Sequence, residues 1–314
     1  MVEALMVLGF VLAAYSVVAN DSIQTLGTFL ASNAHRPWWV MWAFSSSILV
    51  LVLVYSWVTN GGDPSYGRLE KFPEPPGGVS WIHVAAPLVL LFLTRFGIPV
   101  STTFLVLSVF APQNIDSMLL KSVTGYAVAF GAGILVYGVV MRQVNHYLRS
   151  VADEPTPGYW VALQWLSTGF LWSQWLIQDL ANLFVFLERP LPGLWLAFSI
   201  VVLLSMQGVI FYQVGGRIQQ IVTSKTMTGD IRSATLIDFV YGVILLVFKE
   251  WSNMPMSTTW VFLGLLAGRE LAMRYHMDRD GLRTAWRAIM SDAGKALTGL
   301  VISVALALGA VSSA

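Results

Sequence analysis

Residues 98–103 read Ile-Pro-Val-Ser-Thr-Thr, and residues 254–259 read Met-Pro-Met-Ser-Thr-Thr. Each stretch interrupts a run of mostly apolar residues, 81–110 in the first case and 233–266 in the second. Proline lacks a backbone donor and disfavours helical backbone just before itself. Each run is therefore predicted to form two half-length helices that meet at a tip, the form of a re-entrant hairpin in a membrane protein.

A second pair of motifs repeats over nearly the same distance. Residues 20–24 read Asn-Asp-Ser-Ile-Gln, and residues 178–182 read Gln-Asp-Leu-Ala-Asn. The aspartates of this pair are 158 positions apart (179 − 21), and the serines of the first pair are 156 apart (257 − 101). Two unrelated motifs with one offset and one order indicate an internal duplication of roughly 157 residues, an arrangement that is frequent in secondary transporters.

The composition excludes several classes of protein. Of the 314 residues, 56% are hydrophobic and only 11% are charged, whereas about 25% of the residues in a soluble domain are charged. A soluble enzyme, a nucleic-acid-binding protein and a disordered chain are therefore excluded. The chain has no cysteine and only four scattered histidines, so we expect no disulfide, no bound metal and no catalytic centre.

Several apolar stretches approach the roughly 20 residues that a bilayer-crossing helix needs. The predicted spans are 5–30, 38–58, 123–141, 159–177, 191–214 and 296–311, the last extended backwards. The first of them contains Asp21. The linkers between apolar stretches are too short to fold alone, so residues 1–314 are predicted to form a single all-α polytopic membrane domain.

The predicted topology is an inverted repeat, with one half at about 1–150 and the other at about 158–314. Each half contains a broken helix with the Asp motif, a full span, a hairpin and a final span, which gives an odd number of crossings. One side then receives ten Lys and Arg residues, in the loops 32–37, 142–159, 215–234 and 273–287. The other side receives four, which are Arg68, Lys71, Lys121 and Arg189. The positive-inside rule places the larger set in the cytoplasm and both termini outside.

Asp21 and Asp179 are the candidates for cation or proton coupling. An ionised carboxylate inside a membrane is costly, so it usually faces a cavity and a partner. Inversion would bring these equivalent positions together near the middle of the membrane. Carboxamides flank both, with Asn20 and Gln24 in the first motif and Gln178 and Asn182 in the second. Carboxylate and carboxamide oxygens suit hard cations such as sodium, while carboxamide NH2 groups donate to anions.

The Ser-Thr-Thr motifs favour a ligand of the opposite charge. Each follows a proline break, so its serine is a natural cap for a new helix, whose first N–H groups attract anions. Hydroxyl groups add further donors. The candidate anion-binding residues are Ser101, Thr102, Thr103, Ser257, Thr258 and Thr259, together with Asn20 and Asn182. Carboxylates next to such an anion site are typical of symport, because an anion alone would be repelled.

At these motifs the sequence resembles the inorganic phosphate transporter family, which includes sodium- and proton-coupled phosphate symporters and sulfate permeases. That family carries an Asn-Asp-x-x-Asn signature and a Gly-Leu/Ile-Pro-Val/Ile-Ser-Thr-Thr hairpin in each inverted half. Here Gln24 and Gln178 replace signature asparagines, and Phe104 and Trp260 replace the usual histidine. His83 and Asp238 fall near the position of a family glutamate.

The resemblance implies a symporter that imports phosphate with sodium or protons by alternating access in a bacterial inner membrane. Transported sodium would then be the only metal ion involved, and the partners would be the oxyanion, the cation and the lipid. A homodimer remains open, and no nucleic acid is expected. The alternatives are a proton-coupled sulfate or other oxyanion permease and, from another class, a passive anion channel or a non-transporting phosphate sensor.

Three further polar residues on the first arms of the hairpins have two interpretations each. Arg95 and Lys249 could face the transported anion, but snorkelling of Arg95 and pairing of Lys249 with Glu250 or Asp238 are favoured. His83 could carry protons, although a hydrogen-bonded buried histidine is the more common case.

Overall fold

We describe a computed structural model of the chain, which covers residues 2–95, 100–140, 157–213, 231–277 and 281–313. Helices account for nearly all regular structure in these ranges, and no strand occurs among them. The longer helices are α1 (Val2–Val17), α2 (Ile23–Ser32), α3 (Trp38–Thr59), α4 (Trp81–Arg95), α6 (Ile115–Leu135), α7 (Gly158–Asp179), α9 (Gly193–Tyr212), α10 (Ile231–Trp251), α11 (Thr258–Met277) and α12 (Gly281–Ser313). The short helices α5 (Ser108–Phe110) and α8 (Ala181–Phe184) complete the set.

Six helical segments of the described chain are long and apolar enough to cross a membrane. They are Val2–Ser32, Trp38–Thr59, Pro112–Gly138, Gly193–Tyr212, Ile231–Trp251 and Ala285–Ala310. Five of the six contain or overlap the predicted spans. The remaining predicted span, 159–177, lies within α7, which is 22 residues long. Its buried side includes polar residues such as Gln164, Thr168 and Gln178, so α7 packs inside the bundle rather than presenting only apolar surface.

The first helix is not broken at its Asp motif, contrary to the prediction. Residues Val18–Ser22 form a π-helical turn that joins α1 to α2 without an interruption. A π turn inserts an extra residue and is often found at functional sites. In the second half the chain does change at the motif, because α7 ends at Asp179 and α8 begins at Ala181.

Both predicted hairpin stretches contain two helical arms, and the arms of the second stretch are longer than predicted. In the first stretch α4 ends at Arg95, a π-helical turn begins at Thr103, and the predicted break at 97–99 lies outside the described residues. In the second stretch the helix stops at Trp251 and resumes at Thr258. Its arms have 21 and 20 residues rather than half a span. The second arm is long because α11 continues to Met277, past the end of the predicted run at residue 266.

The predicted loop at 273–287 is also largely helical, since α11 extends to Met277 and α12 begins at Gly281. The other predicted cytoplasmic loops, 142–159 and 215–234, lie mostly outside the described residues. The two arms of the second hairpin pack mainly on other helices, α10 on α7 and α11 on α6. In the first half, α1 packs on α4.

Close contact between α6 and α11 depends on glycines. A Cβ atom at Gly264 or Gly268 would overlap the carbonyl oxygen of Tyr126 or Phe130, and one at Gly133 would overlap that of Leu265. Small residues allow membrane helices to approach this closely. Gly131, two residues before Gly133 on α6, differs, because a Cβ there would meet no atom within 4 Å.

Candidate functional site

The carboxylate of Asp21 is buried in the π-helical turn and is surrounded by neutral donors. Asp21 is 2% exposed. Asn20 Nδ2 donates to its Oδ1 at 2.7 Å, and Thr102 Oγ1 donates to its Oδ2. Thr259 Oγ1 also lies 3.4 Å from Oδ1. The motif from each half thus contributes a hydroxyl to this one carboxylate.

Asp179 has a related environment in the second half. It is 1% exposed, and its Oδ1 accepts hydrogen bonds from Asn182 Nδ2 at 2.8 Å and from Thr103 Oγ1 at 3.2 Å. Among the described residues, Asp179 Oδ2 and Asn182 Oδ1 are buried without a hydrogen-bond partner. Two buried oxygens without a donor are the kind of atoms that can coordinate a cation.

Two threonines each contact the aspartate of the opposite half of the chain. Thr103 reaches Asp179 and also the carbonyl oxygen of Met256, which lies 3.1 Å away at the second hairpin tip. Thr259 reaches Asp21 and also the carbonyl oxygen of Val100, 3.4 Å away at the first tip. Asn20 Nδ2 donates to that same carbonyl oxygen at 3.2 Å. Each carboxylate is therefore bound by a threonine from the other half.

The serines of the two motifs act as caps. Ser101 Oγ accepts a hydrogen bond from the Phe104 N–H, and Ser257 Oγ accepts one from the Trp260 N–H, both at 3.2 Å. The predicted capping is therefore confirmed. The hydroxyls of Thr102, Thr103 and Thr259 lie within hydrogen-bond distance of the carboxylates. Thr258 is also buried and its side chain interacts with Asp179, while its carbonyl oxygen accepts a hydrogen bond from Tyr241 Oη at 2.9 Å.

The two glutamines occupy different places. Gln24 Nε2 donates to Asn20 Oδ1 at 3.1 Å, so Gln24 supports the carboxamide that contacts Asp21. Gln178 is fully buried next to Asp179, and its Nε2 donates to the carbonyl oxygen of Leu245 at 3.1 Å. Its Oε1 faces a cation rather than another carboxamide.

That cation is Arg68, which the count of Lys and Arg residues places in an exterior loop. The residue is 1% exposed, and its Nη2 donates to Gln178 Oε1 at 3.2 Å. Burial lowers the pKa of Arg68 to about 10, and the carboxylate of Asp179 is the nearby charge that most opposes this shift. The guanidinium therefore remains protonated at neutral pH. No pattern in the Pro- and Gly-rich linker sequence predicts its burial.

Lys121, also counted as an exterior charge, lies at the tip of the second hairpin. It is 4% exposed, and its Nζ donates to the carbonyl oxygens of Ser252 and Met254, both at 2.7 Å. These carbonyls follow the end of α10, where orphan acceptors attract a cation. Lys121 thus holds the break between the two arms.

A third buried carboxylate belongs to Asp238. It accepts hydrogen bonds from Thr28 Oγ1 and Thr168 Oγ1, both at 2.5 Å.

The three polar residues on the first arms of the hairpins have these positions. Lys249 pairs with Glu250 at 3.1 Å, one of the two pairings that were predicted. His83 is buried, and its Nδ1 lies 2.9 Å from Ser80 Oγ, as expected for a hydrogen-bonded buried histidine. Arg95 is exposed at the end of α4.

Among known proteins, a match to this chain comes from comparison of folds and not from comparison of sequences. No family model and no curated protein sequence matches the chain. The fold is similar to that of a solved structure named "The sodium-dependent phosphate transporter", with a TM-score of 0.54 and 17% sequence identity. The match covers 97% of this chain and 98% of that chain. The two chains share a fold over their whole lengths. The likeness and the apolar helices together identify a multi-pass membrane protein.

Proposed function

We propose that this chain is a secondary active symporter that imports inorganic phosphate together with sodium ions or protons. The observation that carries the proposal is the pair of buried carboxylates, Asp21 and Asp179, each bound by neutral groups from both halves of the chain. The shared fold supports phosphate as the anion and sodium as the first cation to test.

The energetics favour a cation or proton as a partner in transport. A buried ion that lacks a counter-charge costs several kcal/mol even after the protein relaxes. The direct hydrogen bonds to both carboxylates come from hydroxyls and carboxamides, which are neutral. Sodium near Asp179 Oδ2 and Asn182 Oδ1, or a proton on the carboxyl group, would supply the missing charge or donor.

The same charges argue against movement of an anion alone. Phosphate would be repelled by the two carboxylates unless cations accompanied it. Import of a dianion against a 100 mV inside-negative potential costs about 4.6 kcal/mol before any concentration gradient is counted. Coupling to an excess of cations would make the step electrically favourable. The capped helix starts after the two hairpin tips are the candidate anion-binding elements.

The test is uptake of labelled phosphate into proteoliposomes under an inward sodium gradient or, separately, an inward proton gradient. We expect accumulation of phosphate above equilibrium with one of the two gradients. Labelled sulfate under the same conditions tests the other oxyanion. Sulfate accumulation without phosphate accumulation would replace the substrate but leave the symport mechanism intact.

Two outcomes would contradict symport itself. Anion equilibration that ignores both cation gradients would indicate a passive channel. Binding of phosphate without flux would indicate a sensor. We further propose that the protein lies in a bacterial inner membrane, as the family resemblance implies. The unequal Lys and Arg counts of the two sides favour an orientation with both termini outside.

A further inference from the structure

The linker between α3 and α4 carries a charged group into the core of the molecule. It contains Arg68 at the start of a 3-10 helix, Arg68–Lys71. The guanidinium is almost fully buried, and it contacts Gln178, the residue next to Asp179. Among the described residues, its Nε has no hydrogen-bond partner. Burial of a guanidinium costs free energy of desolvation that burial of an apolar side chain of similar size would not. The presence of a charged residue at position 68 therefore requires an explanation.

The linker backbone is built to point this residue inward. Asp63 accepts hydrogen bonds from the N–H groups of Ser65 and Gly67 at 2.7 and 2.9 Å. Gly67 has φ +74°, a left-handed conformation that glycine adopts without strain. The turn therefore reverses the chain just before Arg68. This geometry belongs to the linker itself and does not depend on Gln178.

Arg189 fixes the other end of the same turn. Its Nη1 donates to the carbonyl oxygens of Leu69, at 3.0 Å, and Phe72, and its Nη2 donates to that of Val185 at 3.3 Å. Within the described part of the chain, the hydrogen bonds of Arg189 all go to backbone carbonyls, so Arg189 serves as a structural clamp between the linker and the chain after α8. Arg68 differs, because it donates a hydrogen bond to Gln178, a side chain of the Asp motif.

We propose that Arg68 is a built-in cation of the transport site, and that it replaces one co-transported cation in each cycle. This inference rests on the proposed symport. With both carboxylates ionised and phosphate bound, the loaded site carries a surplus of negative charge. A permanent guanidinium beside Asp179 lowers by one the number of monovalent cations needed to neutralise it. The hydrogen bond to Gln178 places the guanidinium at the Asp motif, and the charges of Arg68 and Asp179 attract each other.

The experiment measures the ratio of labelled sodium to labelled phosphate taken up by proteoliposomes containing the full chain. In Arg68→Gln we expect the ratio to rise by about one sodium per phosphate relative to the unaltered protein, because the site loses one positive charge. An unchanged ratio together with an unchanged half-saturating sodium concentration would overturn the inference. If the unaltered protein takes up no phosphate, the proposed function fails instead, and the ratio is measured with sulfate and its coupled cation.

Arg189→Gln is the matched control. It removes a guanidinium that holds the same linker but whose hydrogen bonds, among the described residues, go to carbonyl oxygens and not to the Asp motif. We expect it to lower the thermal stability or the uptake rate while the coupling ratio stays the same. An equal change of the ratio in Arg189→Gln and Arg68→Gln would show that the linker, and not the charge, is responsible.

Arg68→Lys keeps the inference testable if Arg68→Gln does not fold. Burial lowers the pKa of a lysine by favouring its neutral form, so this variant makes the charge titratable. At pH 6 the variant should take up the same number of sodium ions per phosphate as the unaltered protein. At pH 9 it should take up about one more sodium per phosphate than the unaltered protein does at that pH. A ratio that equals that of the unaltered protein at both pH values would contradict the proposed role.

Discussion

At the scale of single residues, the site combines motif residues that the sequence reveals with a buried arginine that it does not. The Asp and Ser-Thr-Thr motifs could be selected from the sequence, because paired polar residues at one offset stand out against an apolar chain. Arg68 could not, since it belongs to a polar linker where arginine is ordinary. Its burial follows from the Gly67 turn and from the clamp at Arg189, which are tertiary features.

The two aspartates give the first prediction. Asp21→Asn and Asp179→Asn each keep the size of the side chain but remove its charge, so both variants should fold and lose coupled uptake by at least about a hundredfold, as expected when roughly 3 kcal/mol of cation binding is lost. Uptake into proteoliposomes and thermal unfolding in detergent measure the two properties. Full activity in either variant would contradict the assignment of the site.

The capping serines give a second prediction. Ser101→Ala and Ser257→Ala each remove an acceptor for a helix-start N–H, so each should reduce stability by about 1 kcal/mol. Both should raise the KM for phosphate more than the half-saturating cation concentration. Ser199→Ala is the control, because Ser199 is buried in α9 and donates to the carbonyl oxygen of Trp195 within its own helix. Equal effects on anion and cation would contradict the division of roles.

At the scale of helices, proline breaks were predictable but helix lengths were not. The break between Trp251 and Thr258 follows from Pro255. The second arm is longer than predicted because α11 continues through Arg269 and Glu270 to Met277. Similarly, the sequence indicates a polar interruption at Asp21 but cannot distinguish a broken helix from the π-helical turn that is present.

The contact between α6 and α11 gives a third prediction. Gly268→Ala places a Cβ against the carbonyl oxygen of Phe130, and relief of this overlap requires the helices to separate. We expect destabilisation by about 1–3 kcal/mol, measured as a lower Tm in detergent. Gly131→Ala is the control on α6, where a new Cβ meets nothing, and it should be neutral or stabilising by about 0.5–1 kcal/mol. A larger loss at Gly131 than at Gly268 would contradict the packing assigned here.

At the scale of the whole molecule, the architecture was largely predictable, because hydropathy and charge determine what can lie in lipid. The all-α class, most spans and the paired motifs were all accessible from sequence. The count of Lys and Arg residues on each side was a poorer guide to which of those residues are exposed. Two of its four exterior cations, Arg68 and Lys121, are buried, because each compensates polar groups in the interior.

Orientation gives a fourth prediction, which the cysteine-free sequence makes easy to test. Glu74 lies exposed in the linker, and His35 lies exposed between α2 and α3. In intact cells, Glu74→Cys should react with a membrane-impermeant maleimide, whereas His35→Cys should react only after the membrane is opened. The reverse pattern would place both termini in the cytoplasm and overturn the orientation.

The contact of each threonine with the carboxylate of the opposite half has a consequence for the evolution of the chain. Thr103 completes the surroundings of a carboxylate that the other half supplies, and Thr259 does the same in return. Neither half can lose its motif without disabling a group carried by the other. A lineage that began with two copies would thus be unable to discard either one, even while the rest of each copy drifted apart. Mutations that restore a damaged motif should accordingly arise in the opposite half of the gene.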